Sequence, residues 1–153
     1  MNNAIQTLLT DIEPVNAKFE GTIVEQWSLL PATSKGNKGE EVVEAILTGL
    51  GRTVKDRVTK EHDRVVDGKK VEIKTAFEKK DSNEFSIYGY DPVEDPHYWI
   101  YQLVSTSGIY LFSMDRQQMA NVYLGKSRKN VMFTTTLEEM KRIATEVAHV
   151  ELT

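Results

Sequence analysis

Apolar residues at helical spacing mark three segments in the first third of the chain. The first covers 4–12 and the second 15–30, and a proline follows each of them. Segment 31–39, PATSKGNKG, has the glycine, proline and serine content of a loop. A third stripe covers 39–50 and stops at Gly51, a residue suited to a helix C-terminus. These patterns predict two N-terminal helices, a loop and a third helix.

The middle of the chain changes to short runs rich in β-branched and aromatic residues, which predict strands of one mixed sheet. Further on, Thr136 and Glu139 have the spacing of a capping box, and apolar residues over 137–147 form one helical face, so we expect the chain to close with a helix. The order of elements predicts an α/β fold with a central mixed β-sheet flanked by helices. The strand runs are 54–59, 63–66, 70–77, 84–90, 97–104 and 108–113.

Length and composition fit a single globular domain. The chain has 153 residues and 17.4 kDa, with 40% hydrophobic and 27% charged residues. We therefore expect one domain over 1–153, with N-terminal helices over 1–30 and a core over 39–153. No apolar run reaches membrane-spanning length and no signal peptide is evident, so we expect a cytoplasmic protein.

Charge and cysteine content narrow the possible chemistry. The absence of cysteine excludes disulfides and thiolate metal sites, which leaves carboxylates and three histidines as metal ligands. A net charge of −4 argues against a passive nucleic-acid coat, which would need a basic surface. An enzyme that gathers carboxylates around divalent cations remains compatible with this charge.

The dipeptide Asp67-Gly68 predicts a hairpin with a type I′ turn between two strand-like runs. A two-residue loop places Asp63 opposite Glu72, with Lys74 two residues further along the same face. A turn shifted to 68–69 would instead place Asp63 opposite Lys74, still on that face. Two carboxylates directly opposite each other repel, and this arrangement is favourable chiefly when a cation bridges them.

In this hairpin the sequence resembles the PD-(D/E)XK nuclease superfamily, whose hallmark is an acid on one strand and then an acid, any residue and lysine on the next. Asp63 and Glu72-Ile73-Lys74 match that pattern, with His62 at the proline position and Arg64 after the first acid. The resemblance covers about 39–113, and the later strands look like those of type II restriction endonucleases. It implies a restriction-endonuclease-like fold and a metal-dependent endodeoxyribonuclease.

The helix predicted over 39–50 adds to this resemblance. Glu40, Val43, Leu47 and Gly51 match the spacing of the acidic helix that often precedes the hairpin in such nucleases. On a helical wheel Glu40 lies beside Leu47 at the edge of the apolar stripe, so it is able to reach the sheet. The other reading, equally open, is an acid favoured in the first helical turn by the helix dipole.

The resemblance implies a magnesium site and a role for each residue. Asp63, Glu72 and the backbone carbonyl of Ile73 would bind Mg2+, for which Mn2+ may substitute, and Glu40 would act through water. Lys74 would lie beside the scissile phosphate and the attacking water. The expected reaction is hydrolysis of double-stranded DNA to leave 5′-phosphates, at a specific site if the chain is a type II restriction endonuclease.

Several other residues are candidates for contact with DNA. Segment 81–97 could read base edges, and cutting both strands of a duplex predicts a homodimer, with the N-terminal helices as its interface. Each basic residue has an ordinary solvated role as its alternative. The candidate phosphate contacts are Lys38, Lys69, Lys70, Lys79, Lys80, Lys126, Arg128 and Lys129.

Other functions remain open at this point. A repair, recombination or phage DNA-processing nuclease would share the fold. Gly108-Ile109-Tyr110 with Tyr123-Leu124-Gly125 resembles the opening of a GIY-YIG nuclease, although only 28 residues follow. A non-catalytic DNA-binding module is a further alternative, and the three histidines lack the paired spacing of a zinc site.

Overall fold

A computed structural model describes residues 4–5, 17–57, 63–90, 97–122 and 131–152, which form an α/β fold. The eight strands are β1 (Val54–Asp56), β2 (Arg64–Val66), β3 (Lys69–Phe77), β4 (Glu84–Tyr90), β5 (Tyr98–Val104), β6 (Gly108–Asp115), β7 (Val131–Thr136) and β8 (Thr145–Glu151). The helices are a 3-10 turn at Ala17–Phe19 and α-helices at Glu25–Ser28, Ala32–Gly49, Arg116–Val122 and Leu137–Ile143.

The predicted central mixed sheet is confirmed. Its six strands lie in the order β1-β2-β3-β5-β6-β8, with β3 and β5 parallel and every other adjacent pair antiparallel. The expectation of one sheet is wrong, because β4 pairs with β7 in a separate two-stranded sheet. Sequence runs predict strands but carry no record of which strands pair.

Each face of the central sheet carries its own apolar core. The helix Ala32–Gly49, here called the long helix, covers one face and buries Val43 and Leu47 against Val71 and Ile73. The small sheet and the two later helices cover the opposite face, here called the second face. Strand β5 is buried on both sides, which explains its nearly continuous apolar sequence.

The predicted loop over 31–39 is wrong, because the long helix begins at Ala32. Tertiary contacts outweigh the low helix propensity of its serine and glycines. The indole of Trp27 donates to the carbonyl of Lys35 at 3.0 Å, and the Lys35 ammonium lies 4.9 Å from the centre of the Phe77 ring. Glu40 therefore lies in the middle of a helix, where the dipole of the first turn does not account for it.

Two other helix predictions need correction. Segment 15–30 is not one helix in its described part, since Gly21 adopts a φ of 80° and divides Ala17–Phe19 from Glu25–Ser28. The last helix starts at the predicted capping box, where Thr136 accepts from the Glu139 N–H at 3.2 Å. It ends at Ile143, and β8 then pairs with β6 where the sequence predicted helix. The first predicted helix, 4–12, lies mostly outside the described residues.

Gly39 is the point where the long helix approaches β3 most closely. A side chain there would overlap the Thr75 hydroxyl and come within 3.0 Å of the Thr75 Cβ and 3.3 Å of the Gln102 side-chain nitrogen. That nitrogen donates to the Gly39 carbonyl and to the Thr75 hydroxyl, each at 3.0 Å. Glycine, threonine and glutamine thus fix the spacing between helix and sheet next to Glu40.

We predict that Gly39→Ala destabilises the protein by about 1–3 kcal/mol, because the added methyl group overpacks this contact. Gly36→Ala is the matched control, since the same helix offers open space at that position. It should be neutral or stabilising by up to about 1 kcal/mol, as alanine is the better helix former. Urea unfolding monitored by circular dichroism measures both, and equal stability of the two variants would contradict the prediction.

Candidate active site at the end of strand β2

The turn and register of the hairpin form as the sequence predicts, but the predicted pairing of Asp63 opposite Glu72 is wrong, because regular pairing begins at Arg64 and Val71. Asp67 and Gly68 have φ values of 49° and 81°, as a type I′ turn requires, and Val66 faces Lys69. The Asp67 carboxylate accepts from the Thr53 N–H at 2.9 Å and pairs with Arg52. These contacts lower the pKa of Asp67, the Thr53 hydrogen bond first, and tie the turn to the chain before β1.

Strand β2 is short, and Asp63 immediately precedes its first residue, Arg64. The Asp63 N–H donates to the Val71 carbonyl at 2.9 Å, although Val71 already faces Arg64 in the ladder. Asp63 has therefore stepped out of regular pairing, and its carboxylate accepts the Ile73 N–H at 2.7 Å. The space between Asp63 and Ile73 is here called the notch. Because the N–H and C=O of one strand residue point to the same side, the Ile73 carbonyl also points toward the notch.

Glu72 and Lys74 lie on β3 beside the notch. They alternate with the buried Val71 and Ile73, so their side chains leave β3 on the second face. The Lys74 ammonium lies 3.2 Å from a Glu72 carboxylate oxygen, and the two side chains are 32% and 13% exposed. Lys74 also borders a cleft of about 70 Å³ that separates β3 from Ser86 and Ile87 of β4.

Glu40 reaches the same place from the long helix. Its carboxyl group hydrogen-bonds Asp63, which in turn hydrogen-bonds Glu72. The structure thus brings together the four residues predicted for the site, Asp63, Glu72, Lys74 and Glu40, from a helix and two strands. Asp63 occupies the centre because it lies at the edge of β3, with Glu40 on one face of the sheet and Glu72 on the other.

Burial and mutual repulsion change the acidity of these groups. Desolvation, followed by the charge and hydrogen bond of Asp63, raises the pKa of Glu72 to about 8, although Lys74 opposes the shift. Desolvation and the contacts with Asp63 likewise raise the pKa of Glu40 to about 7, against the opposing charge of Arg64. Glu40 and Glu72 therefore hold their protons more tightly than an exposed glutamate does.

Arg64 is a site residue for which the sequence gave no role. Its guanidinium donates to the Asp63 carbonyl at 2.8 Å and lies 3.6 Å from Glu40 and 3.4 Å from Glu44. Glu40 and Glu44 occupy successive turns of the long helix. Their i, i+4 spacing is the sequence feature that could have indicated a shared basic partner such as Arg64. An open cleft of about 460 Å³ adjoins Glu40 and Arg64 and is also lined by Asn37, Asp56 and Arg57.

The donors present fit a small, hard cation such as Mg2+. In the described part of the chain, no three His, Asp or Glu side chains are arranged so that they could hold a metal ion together. Mg2+, however, is usually bound through one or two carboxylates, with water and substrate oxygens in the other positions. Asp63 and Glu72 meet that requirement, and a divalent cation would relieve the repulsion that raises the pKa of Glu72.

The remaining candidates are distributed over the surface. Lys38 pairs with Glu41 at 2.6 Å, and Lys79 lies 3.6 Å from Glu84, so both have carboxylate partners. His97 accepts the Lys70 N–H at 2.8 Å, and His149 stacks on Tyr110. Lys69 is exposed, as is Lys80 in the turn before β4. The predicted contacts at 91–96, Lys126, Arg128 and Lys129, and the segment Tyr123 to Gly125, lie outside the described residues.

Comparison with known proteins adds little. Neither a family model nor a curated protein sequence matches this chain. Among solved structures, the chain is similar to a bacterial homing endonuclease, I-Ssp6803I, with a TM-score of 0.49 and 12% sequence identity over 69% of this chain and 77% of the other. At this level we infer neither a shared family nor a shared activity. Within the described residues, no helix is long and apolar enough to cross a membrane.

The raised pKa values predict how stability depends on pH in the metal-free protein. Glu40 and Glu72 hold their protons more tightly when folded than when unfolded, so the stability that they contribute is present at low pH. It is lost as the pH rises from about 4.5 through about 7 and 8. Thermal unfolding in EDTA should therefore show a falling Tm across this window.

Asp63→Asn should flatten that pH dependence, because it removes the charge that Glu40 and Glu72 both face. Asp81→Asn, an exposed carboxylate in the turn before β4, is the control and should leave the slope unchanged. A slope that is equally steep in Asp63→Asn and in the native protein would contradict the proposed coupling among these groups.

Proposed function

We propose that this protein is a Mg2+-dependent DNA endonuclease that hydrolyses phosphodiester bonds to leave 5′-phosphates. The observation that carries the proposal is the cluster at the end of β2, where two adjacent carboxylates and a lysine project from the hairpin beside a third carboxylate from the long helix. Structural ion pairs seldom place three carboxyl groups in contact, because such a cluster costs folding free energy. Function is the better explanation for it.

Each residue has a distinct task in this proposal. Asp63, Glu72 and the Ile73 carbonyl would hold the metal, and the metal would supply an activated water and positive charge for phosphodiester hydrolysis. Lys74 donates to a non-bridging oxygen of the scissile phosphate and orients the attacking water. Its pairing with Glu72 keeps the ammonium beside the metal ligands. Glu40 accepts a hydrogen bond from a water molecule at the site.

The substrate proposed is double-stranded DNA. The open cleft beside Glu40 gives a polynucleotide access to the carboxylates, and it contains the exposed Arg57 as a possible phosphate contact. We favour a type II restriction endonuclease because of the resemblance of the later strands. A repair, recombination or phage DNA-processing role for the same chemistry is the alternative.

The strand order argues against the GIY-YIG alternative. Strand β6, which contains Gly108 and Tyr110, pairs with β5 along one edge and with β8 along the other. Both edges of β6 are therefore occupied over its length. The Tyr110 hydroxyl instead forms a hydrogen bond of 3.1 Å with Ser107, and its ring stacks on His149.

We predict that the protein cleaves supercoiled plasmid DNA with Mg2+ and not with EDTA, and that Lys74→Ala slows cleavage by about 100-fold or more through loss of transition-state stabilisation. Lys141→Ala, an exposed lysine on the helix Leu137–Ile143, is the control and should retain full activity. Gel electrophoresis separates discrete fragments, expected of a restriction enzyme, from nicks or a smear, expected of repair or structure-directed cutting.

Two results would reject this proposal. Cleavage that survives in Lys74→Ala would place the active site elsewhere. Binding of DNA without cleavage in Mg2+ or Mn2+ would favour the non-catalytic module.

We further predict a homodimer that cuts both strands, with the N-terminal segment at its interface. Ile23 in this segment is 82% exposed, more than any other large apolar residue in the described part of the chain. Ile23→Lys should therefore shift sedimentation toward monomer and shift the product from linear to nicked plasmid. Met132→Lys, at another exposed apolar residue, is the control. A native protein that sediments as a monomer at all concentrations would contradict this prediction.

A further inference from the structure

Arg64 brings a fixed positive charge into the carboxylate cluster from the long-helix side. Its side chain is only 17% exposed, and its guanidinium contacts the Asp63 carbonyl, Glu40 and Glu44. Three acceptors from two elements hold it in place. An arginine cannot release its proton in a protein, so this charge is permanent.

The position of this charge bears on how many metal ions the site can take. In two-metal nucleases the ions lie about 3.5–4 Å apart and share carboxylate ligands. Here Asp63 is the shared carboxylate, with Glu72 on one side and Glu40 on the other. Among the described residues, Glu40 is the carboxylate beside Asp63 on that side that could hold a second ion, and the Arg64 guanidinium already lies 3.6 Å from it.

We propose that Arg64 takes the place of a second metal, so that the site binds one divalent cation, held by Asp63 and Glu72. This inference rests on the proposed function. A second cation beside Glu40 would face the like charge of the guanidinium, or would have to displace it from three contacts at once.

The charge balance of the cluster agrees with a single ion. Arg64 and Lys74 offset two of the four carboxylates Glu40, Glu44, Asp63 and Glu72, which leaves a formal charge equal and opposite to that of one divalent cation. Asp56 and Arg57, which line the adjoining cleft, carry opposite charges and do not alter the balance. A second divalent ion would leave the site with excess positive charge before DNA binds.

The test measures how many Mn2+ ions bind to each 153-residue chain in the absence of DNA. Electron paramagnetic resonance measures the free ion during a titration at constant pH. The native protein should bind one Mn2+ per chain, and Asp63→Asn should lose it. Arg64→Gln should bind a second, weaker Mn2+, raising the count from one to two. Arg142→Gln is the matched control, because it removes an exposed arginine that pairs with Glu139 on another helix, and its count should stay at one.

Each outcome bears on the inference. Two Mn2+ on the native chain would overturn it and leave the nuclease proposal intact, whereas no Mn2+ at all would overturn the metal-dependent function as well. A count that stays at one in Arg64→Gln would show that Arg64 does not limit the site to one ion, and would overturn the inference. If that variant does not fold by circular dichroism, Arg64→Met replaces it, since it also removes the charge; a count of one there overturns the inference too.

Discussion

The long helix approaches β3 so closely at Gly39 that no side chain fits between them. Gln102, fully buried on β5, donates to the Gly39 carbonyl and to Thr75, and so fixes this distance from within the sheet. Thr75 follows Lys74, and Glu40 follows Gly39. One packing contact therefore sets the relative positions of a helix residue and a strand residue on which the candidate site depends.

The second constraint is that the regular pairing of β2 with β3 reaches only to Arg64 and does not include Asp63. If β2 continued as a regular partner of β3, the Ile73 N–H would bond to its backbone, and the carboxylates on the two sides of the sheet would be separated. Because pairing stops at Arg64, Asp63 turns into the notch and accepts the Ile73 N–H with its side chain. A ladder hydrogen bond is replaced by one that also positions a charged group.

In the candidate site, repulsion among carboxyl groups is partly offset by two positively charged side chains. Asp63 raises the pKa of both neighbouring glutamates, while Lys74 and Arg64 each oppose the shift of the glutamate beside it. Such a cluster is unfavourable for folding and suited to binding a cation. Enzyme active sites often contain ionisable groups that are perturbed in this way. The apolar cores on both faces of the sheet supply the stability that offsets it.

The sequence by itself determined the local geometry of the hairpin. Asp67-Gly68 specifies the turn, and the turn specifies the register of β2 and β3 as far as Arg64 and Val71, because these effects act over a few residues. Asp63 leaves that register and meets Glu72 through its side chain. Only the tertiary structure decided that 32–39 is helical, that 145–151 is a strand of the central sheet and that Arg64 enters the cluster. Those outcomes depend on contacts between distant residues, such as Trp27 with Lys35, β8 with β6 and Arg64 with the long helix, which no local pattern records.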